Sequence, residues 1–391
     1  MHDANYDPKT PIQKTDAGYS DILAKIDFNT FRRCPITKTP HYLVDFYNPL
    51  TNQPLAYCPR SLLKSVVNKH PQMRAFAGIE FEFFNFKETS DSLAQKKGSK
   101  LEPMTHGMFG YSVARPSVNQ QYFDDIYEKS REFNIPLECF HTETGPGVYE
   151  AAIAYADVLE LSDRAHLFKM LTKKIGTLHG ITPCFMAKPY GNQPGCSGHL
   201  HFSLQDENGN NLFADSNDPQ KISNTCRQFI AGVLQGLESI MAILAPTINS
   251  YKRLNIAYWA PVTVSYGFED RISAIRIITP PICSSSATRI EVRVPGADVN
   301  CYLATSAILA CGYYGIENKL ELPPPKNAKE CKLLPQTLSL AVEKMAGKDS
   351  FARKVLGNDF VDHYVATRQH EIRLWQLAVT DWELNRYMET V

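Results

Sequence analysis

The ten cysteines show no CxxC pair and no regular spacing, which argues against a zinc ribbon or a disulfide framework and suits reduced thiols. No apolar run approaches the roughly 18–20 residues that a membrane span needs. With no recognisable signal peptide either, the expectation is a soluble, cytoplasmic protein that does not engage membranes. Charge of one sign is also missing: Lys+Arg and Asp+Glu are both 41, so no basic surplus points to nucleic acid or anionic lipid. There is no P-loop, no kinase-like Gly-rich loop and no internal repeat. Any nucleotide must therefore be held by other means. With 391 residues, the chain exceeds what one hydrophobic core usually serves, so a large domain and a smaller one are expected.

The chain reads as a mixture of strands and long helices. The first twenty residues are polar, with Pro8 and Pro11, and read as poorly ordered. A short strand at 41–46 and a helix over 59–68 follow. Alternation of apolar and acidic residues predicts a strand at 79–83, and 88–117 reads as a polar loop. A helix is expected from Val118, with Phe123, Ile126, Tyr127 and Phe133 on its apolar side. Two strands should flank Gly145-Pro146-Gly147 within 138–155. Ser162 reads as the N-cap of a helix reaching His179, with Gly180 following as its C′ residue. Further strands are expected at 183–188, 199–204, 272–278 and 289–294, and helices at 223–244, 301–318 and from Trp375 onward. The fold class is α+β, a mainly antiparallel sheet with helices packed on it.

Three strands carry an unusual charged face. Glu80 and Glu82 oppose Phe81 and Phe83; His199, His201 and Ser203 oppose Leu200, Phe202 and Leu204; Arg289, Glu291 and Arg293 oppose Ile290, Val292 and Val294. Each alone reads as a solvated sheet face. Such faces usually carry Thr, Ser and Lys, however, whereas these carry Glu, His and Arg. Glu143 and Glu150 beside the Gly-Pro-Gly turn bring the set to five glutamates and two histidines. Two carboxylates about 4 Å apart repel by roughly 4 kcal/mol at an effective dielectric near 20. A converging cluster therefore calls for cations, and carboxylates with an imidazole suit Mg²⁺ or Mn²⁺. Two metals with arginines nearby suit phosphoryl transfer.

Five ordered motifs carry a resemblance: Glu-Phe-Glu at 80–82, Glu-Thr-Gly-Pro-Gly-Val-Tyr-Glu at 143–150, Gly-Cys-Ser-Gly-His-Leu-His at 195–201, Asn-Ser-Tyr-Lys-Arg-Leu at 249–254 and Arg-Ile-Glu-Val-Arg at 289–293. From about residue 18 to its end the chain resembles the glutamine synthetase superfamily. In motif detail it is more similar to the gamma-glutamyl amine ligase branch than to housekeeping glutamine synthetases. The resemblance implies a curved sheet in a catalytic domain over 71–391, preceded by a partial β-grasp-like domain over 1–70 that lacks its first strands. It implies ATP, two or more Mg²⁺ or Mn²⁺ ions, glutamate and an amine as ligands, and a homo-oligomeric ring. Glu82, Glu143 and Glu150 would hold one ion, and Glu80, His199 and Glu291 the other, with His201 near the phosphates. Arg253 and Arg293 would bind glutamate and the acyl phosphate, and Gly195 would line the glutamate site. Arg271 and Arg276 would lie along the transferring phosphoryl group. Tyr155 and Ser203 would fall near the nucleotide, although Tyr155 read by itself is a core aromatic. His141, His179 and His363 read as structural.

Two departures bear on the amine. A glutamate that serves the ammonium site of glutamine synthetases corresponds by count from Arg253 to Trp259, whose indole cannot accept a proton from ammonium. The aspartate that a neighbouring subunit supplies in that family would lie upstream of Gly18-Tyr19-Ser20-Asp21, where the chain has almost nothing. The expected reaction is thus ATP-dependent ligation of an organic amine to the glutamate γ-carboxylate through a γ-glutamyl phosphate, with Trp259 at the acceptor. The alternatives are a true glutamine synthetase and, from another class, a non-catalytic ring-forming scaffold.

Overall fold

The computed structural model describes residues 21–280, 284–327 and 330–391; the expectation for residues 1–20 lies outside them. Its strands are β1 (Leu23–Arg33), β2 (Pro40–Tyr47), β3 (Arg74–Phe86), β4 (Leu137–Thr142), β5 (Val148–Asp157), β6 (Thr182–Cys184), β7 (Gly198–Gln205), β8 (Tyr266–Phe268), β9 (Ile275–Ile278) and β10 (Arg289–Val292). Its helices are α1 (Pro59–Asn68), α2 (Ser90–Lys96), α3 (Gln120–Glu132), α4 (Val158–Leu178), α5 (Asn224–Leu244), α6 (Ser250–Arg253), α7 (Cys301–Glu317), α8 (Leu338–Ala346), α9 (Phe351–Leu356), α10 (Asn358–Leu377) and α11 (Asp381–Tyr387). None of them is long and apolar enough to cross a membrane.

Eight strands form one sheet in the order β4-β5-β3-β7-β10-β9-β8, with β6 on the far end of β3. Every pairing is antiparallel except β8 with β9, in keeping with an α+β fold. Period two explains why the sheet has two unlike faces. Phe81 and Phe83 point to the buried side, where Phe168 of α4 and Phe185 stack against them. Glu80 and Glu82 point the other way. Helix α4 packs on the sheet against β3, β5 and β6, and α7 packs on α4 and α5, apolar on nearly every side because it is almost wholly inside.

Strands β1 and β2 pair only with each other. Arg60 of α1 fastens this hairpin to the large sheet's helices: it donates to Asp163 of α4 at 2.9 and 3.1 Å, to Asp27 at 2.9 Å and to Asp45 at 3.1 Å. Leu62, Leu63 and Val66 of α1 continue the same apolar core.

Several local expectations differ from the fold. Helix α4 begins earlier, because Asp157 accepts from Leu159 N and caps it; Ser162 lies inside, bonded back to the Val158 carbonyl. The strand expected over 183–188 covers only Thr182–Cys184, since the chain must leave β3 there, and that over 272–278 begins at Ile275. The loop expected over 88–117 contains α2, started by a capping box of Thr89 and Ser92. The carboxy-terminal helix starts at Asn358 rather than Trp375, right after Gly357, whose φ of 89° no helix interior accepts.

Candidate functional site

Register converts the motifs into one row of side chains across the polar face of the sheet. His141 of β4 lies opposite Glu150 of β5, which lies opposite Glu82 of β3. One step along, Glu80 lies opposite His199 of β7. His201 lies opposite Glu291 of β10, and Glu291 opposite Arg276 of β9. Antiparallel neighbours are about 5 Å apart, so the row spans most of the sheet without a break.

At one end the charges are matched. His199 Nδ1 lies 3.4 Å from Glu80 Oε2 and 3.2 Å from Glu291 Oε1. His201 Nε2 lies 3.1 Å from Glu80 Oε1, off the line of a hydrogen bond. Arg276 donates to Glu291 Oε2 at 3.0 Å and also to Glu269; Arg293 donates to Glu291 Oε1 at 2.5 Å. Burial opposes ionisation of Glu80, but the two imidazoles outweigh it and hold its carboxyl far below the usual range. Glu291 is likewise lowered against its burial, by His199, Arg293 and His201. Burial, with Arg293 next, pushes His199 down.

At the other end they are not matched. Glu143 and Glu150 leave the two sides of the β4–β5 hairpin, whose turn is fixed by Asn85. The buried Asn85 amide donates to the Gly147 carbonyl at 3.0 Å and accepts from Tyr122 at 2.7 Å. Gly147 has φ 70°, and a Cβ there would stand 2.7 Å from the Asn85 carbonyl oxygen. Among the described residues no Lys or Arg pairs with these acids, and His141 Nε2 lies 3.8 Å from Glu150 Oε1. Burial first, then Glu82, Glu80, Glu143 and Glu291, push the Glu150 carboxyl up to about 9. Glu143 Oε2 is buried with no hydrogen-bond partner. Glu82 is held differently, accepting from Ser197 N at 2.8 Å and Ser197 Oγ at 2.5 Å.

These observations test whether divalent ions fit. Donor atoms of Glu80, His201 and Glu291 lie within 4.8 Å of one another, as do those of His141, Glu143 and Glu150. Each trio contains one buried polar atom lacking a hydrogen bond, His201 Nε2 and Glu143 Oε2 respectively. Oxygen donors with imidazole suit a hard ion such as Mg²⁺ or Mn²⁺. The residues fit.

The remaining residues surround this row. Arg253 is buried and donates to the carbonyls of Val294 and Arg293 at 2.9 and 3.1 Å, with Nη2 3.4 Å from His199 Nε2. Gly195 packs on it so closely that a Cβ would lie 2.8 Å from Arg253 Cγ and 2.4 Å from the Ala187 carbonyl oxygen. Arg271 has an exposed side chain, and its carbonyl accepts from Arg293 Nε at 2.9 Å. A cleft of about 320 Å³ runs away from Glu80 and His201, and Tyr155, Ser203, Thr288 and Arg289 line it. Tyr155 is 64% exposed, edge-on to Phe76, so reading it as a core aromatic is corrected: its side chain stands on the open face of β5. Asn255 caps a 3₁₀ turn over Ile256–Tyr258, after which Trp259 adopts φ 56° with 70% of its surface exposed. His179 bonds Asp125 at 2.7 Å and His363 stacks on Tyr57, both structural as expected. His141, expected to be structural, lies within the second trio of donor atoms. Its only sequence signal was the place opposite Glu150 once the hairpin is closed.

Fold and face together define a class: an antiparallel sheet whose open side gathers carboxylates, imidazoles and guanidiniums beside an elongated cleft. Residues 56–387 match the profile of the glutamine synthetase catalytic domain. The chain is 44% identical to the type-1 glutamine synthetase 2 of Dictyostelium discoideum, over 96% of this chain and 73% of that one. It is 36% identical to a glutamate–isopropylamine ligase of a Pseudomonas species, over 96% and 83%. Its fold superposes on a structure of GmaS in complex with ADP with a TM-score of 0.83 at 26% identity, covering 95% of this chain and 86% of that one. The chain belongs to the glutamine synthetase family.

Proposed function

We propose that the chain joins the γ-carboxylate of glutamate to an organic amine rather than to ammonium. ATP-dependent ligation of glutamate is the reaction of its family, and its relatives include ligases named for isopropylamine and for ethanolamide as well as glutamine synthetases. Trp259 carries the acceptor assignment. It occupies the position that resembles the proton-accepting glutamate of the ammonium site, and its ring is open to solvent. An indole accepts no proton, but its face attracts an alkylammonium by about 0.5–2 kcal/mol. Steady-state assays with ATP, glutamate and a panel of amines test this. The highest kcat/KM should fall on an alkylamine, and preference for ammonium would overturn the assignment.

The site residues are assigned as follows. Tyr155 and Ser203 line the cleft for the nucleotide, with His201 at its inner end towards the phosphates. Glu80, His199, His201 and Glu291 would hold one divalent ion, and Glu143 and Glu150, with Glu82 alongside, another; bound there, the ions would neutralise phosphate charge. Arg271, Arg276 and Arg293 offer guanidiniums to the phosphoryl group and acyl phosphate. Arg253, seated by Gly195, and Arg293 set the glutamate side. Residues 21–70 are assigned to a partial β-grasp-like unit and 71–391 to the catalytic domain, supported by the separate pairing of β1 with β2. A ring of identical subunits in the cytoplasm is the assembly proposed from the family resemblance.

A catalytically silent scaffold is the contrary reading. The half-buried Glu143–Glu150 end, with no Lys or Arg on it among the described residues, speaks against it, because like charges are costly to keep where no cation binds. Amine-dependent phosphate release separates the two.

A further inference from the structure

We propose that His141 is a ligand of the second divalent ion and sets that site's preference for Mn²⁺ over Mg²⁺. This rests on the two-metal reading above, in which the family resemblance supplies only glutamates at that end.

The first observation is the tautomer. His141 Nδ1 lies 3.0 Å from the Thr142 carbonyl oxygen, which can only accept, so Nδ1 carries the proton. Nε2 is left with its lone pair free. A ring nitrogen bonded to a backbone carbonyl while the other faces a cluster of donors is how metal-binding imidazoles are usually held.

The second observation is direction. Nε2 lies 3.8 Å from Glu150 Oε1, and the donor atoms of His141, Glu143 and Glu150 fall within 4.8 Å of one another. Around an octahedral ion with bonds of about 2.1 Å, neighbouring donors are about 3 Å apart and opposite ones about 4.2 Å. The trio is thus close to the separation an ion needs. Glu143 Oε2 is buried and unpaired at the same place.

The third observation is support. Tyr111 stacks on the His141 ring with centroids 4.7 Å apart and planes 28° from parallel. Tyr111 is itself pinned by its N–H to the Thr142 carbonyl at 2.7 Å. The ring is held on two sides. Glu82, by contrast, spends both oxygens on Ser197. One imidazole with two free carboxylates favours Mn²⁺, which accepts nitrogen more readily than Mg²⁺ does.

The test compares H141N and H141Q with wild type and with E150Q. Mn²⁺ and Mg²⁺ binding is followed by calorimetry, and electron spin echo spectroscopy of the Mn²⁺ forms reads directly bonded ¹⁴N. Both His141 variants should weaken the second Mn²⁺ by at least about tenfold and Mg²⁺ by less than about threefold, and both should lose part of the ¹⁴N signal. Unchanged Mn²⁺ binding and ¹⁴N signal in both, with E150Q weakened, would overturn the His141 assignment alone. No effect in E150Q either would overturn the two-metal reading beneath it. A crystal of wild type grown with Mn²⁺ decides the matter should the variants not fold: anomalous density within about 2.5 Å of Nε2 supports the ligand, and density beyond 3 Å from it overturns it.

Discussion

The two ends of the charged row teach different things about one sheet face. Around Glu80 and Glu291 the protein supplies its own partners, with Arg276 and Arg293 as counter-charge on Glu291 and the imidazoles of His199 and His201 within 3.4 Å of a carboxylate. Around Glu143 and Glu150 no Lys or Arg among the described residues does so, and burial with the neighbouring carboxylates pushes the Glu150 carboxyl up to about 9. The first end is therefore organised before any ion arrives. The second holds a proton on Glu150 in place of a counter-charge until an ion displaces it. A metal-free protein should feel mutations at the two ends very unequally.

The widest break comes from removing the two carboxylates of β3, which lie between the ends. E80Q combined with E82Q should reduce amine-dependent phosphate release by more than about 10³-fold, on the scale of lost electrostatic stabilisation. It should also abolish the rise in melting temperature that millimolar Mg²⁺ or Mn²⁺ gives the wild type, read by calorimetry. An undiminished rise would mean that ions bind elsewhere.

At the matched end alone, Glu291→Ala leaves Arg276 and Arg293 without their buried partner. In chelator, where no ion contributes, denaturant unfolding should show a loss of about 3–5 kcal/mol. E150Q in the same conditions should cost little near pH 7, because Gln mimics the protonated acid that is already there.

The contrast sharpens with pH. The folded-state pKa of Glu150 is raised above its unfolded value, so its contribution to metal-free stability is complete below about pH 4.5 and is lost as pH climbs to about 9. The melting temperature of wild type in chelator should fall between pH 6 and 9, and E150Q should flatten that fall. With ions present the sign reverses, since binding releases the proton and grows stronger over the same range. The smallest effect lies outside the row: Trp259→Ala should lower kcat/KM for the preferred alkylamine by roughly 2- to 30-fold, leaving ammonium unchanged.

Much of this was legible from residues alone. Alternation in Glu80–Phe83, His199–Leu204 and Arg289–Val294 reflects a local constraint, because a strand facing helices on one side must put its polar residues on the other. The Gly145-Pro146-Gly147 turn was legible for the same reason. Other features were not. His141 looked idle because its neighbours come from strand register, and Tyr155 looked buried because an aromatic side chain does not announce which face of β5 it leaves. The fastening of the β1–β2 hairpin by Arg60 joins residues 103 positions apart, Arg60 and Asp163, and no local pattern marks it. Helix α10 was misplaced because Asn358–Arg368 is polar enough to pass for loop, although Phe360, Val361, Tyr364 and Val365 bury one side.

By itself, then, the order of residues determined which side chains share a face, since the pleat repeats every two residues wherever the chain is extended. Only the tertiary structure decided which faces meet. Strand order and register depend on contacts between distant segments, and these set Glu80 between two histidines, gave Glu82 to Ser197, and left Glu143 and Glu150 without a counter-charge. A carboxylate's chemistry follows from its neighbours, and those are fixed only when the sheet closes.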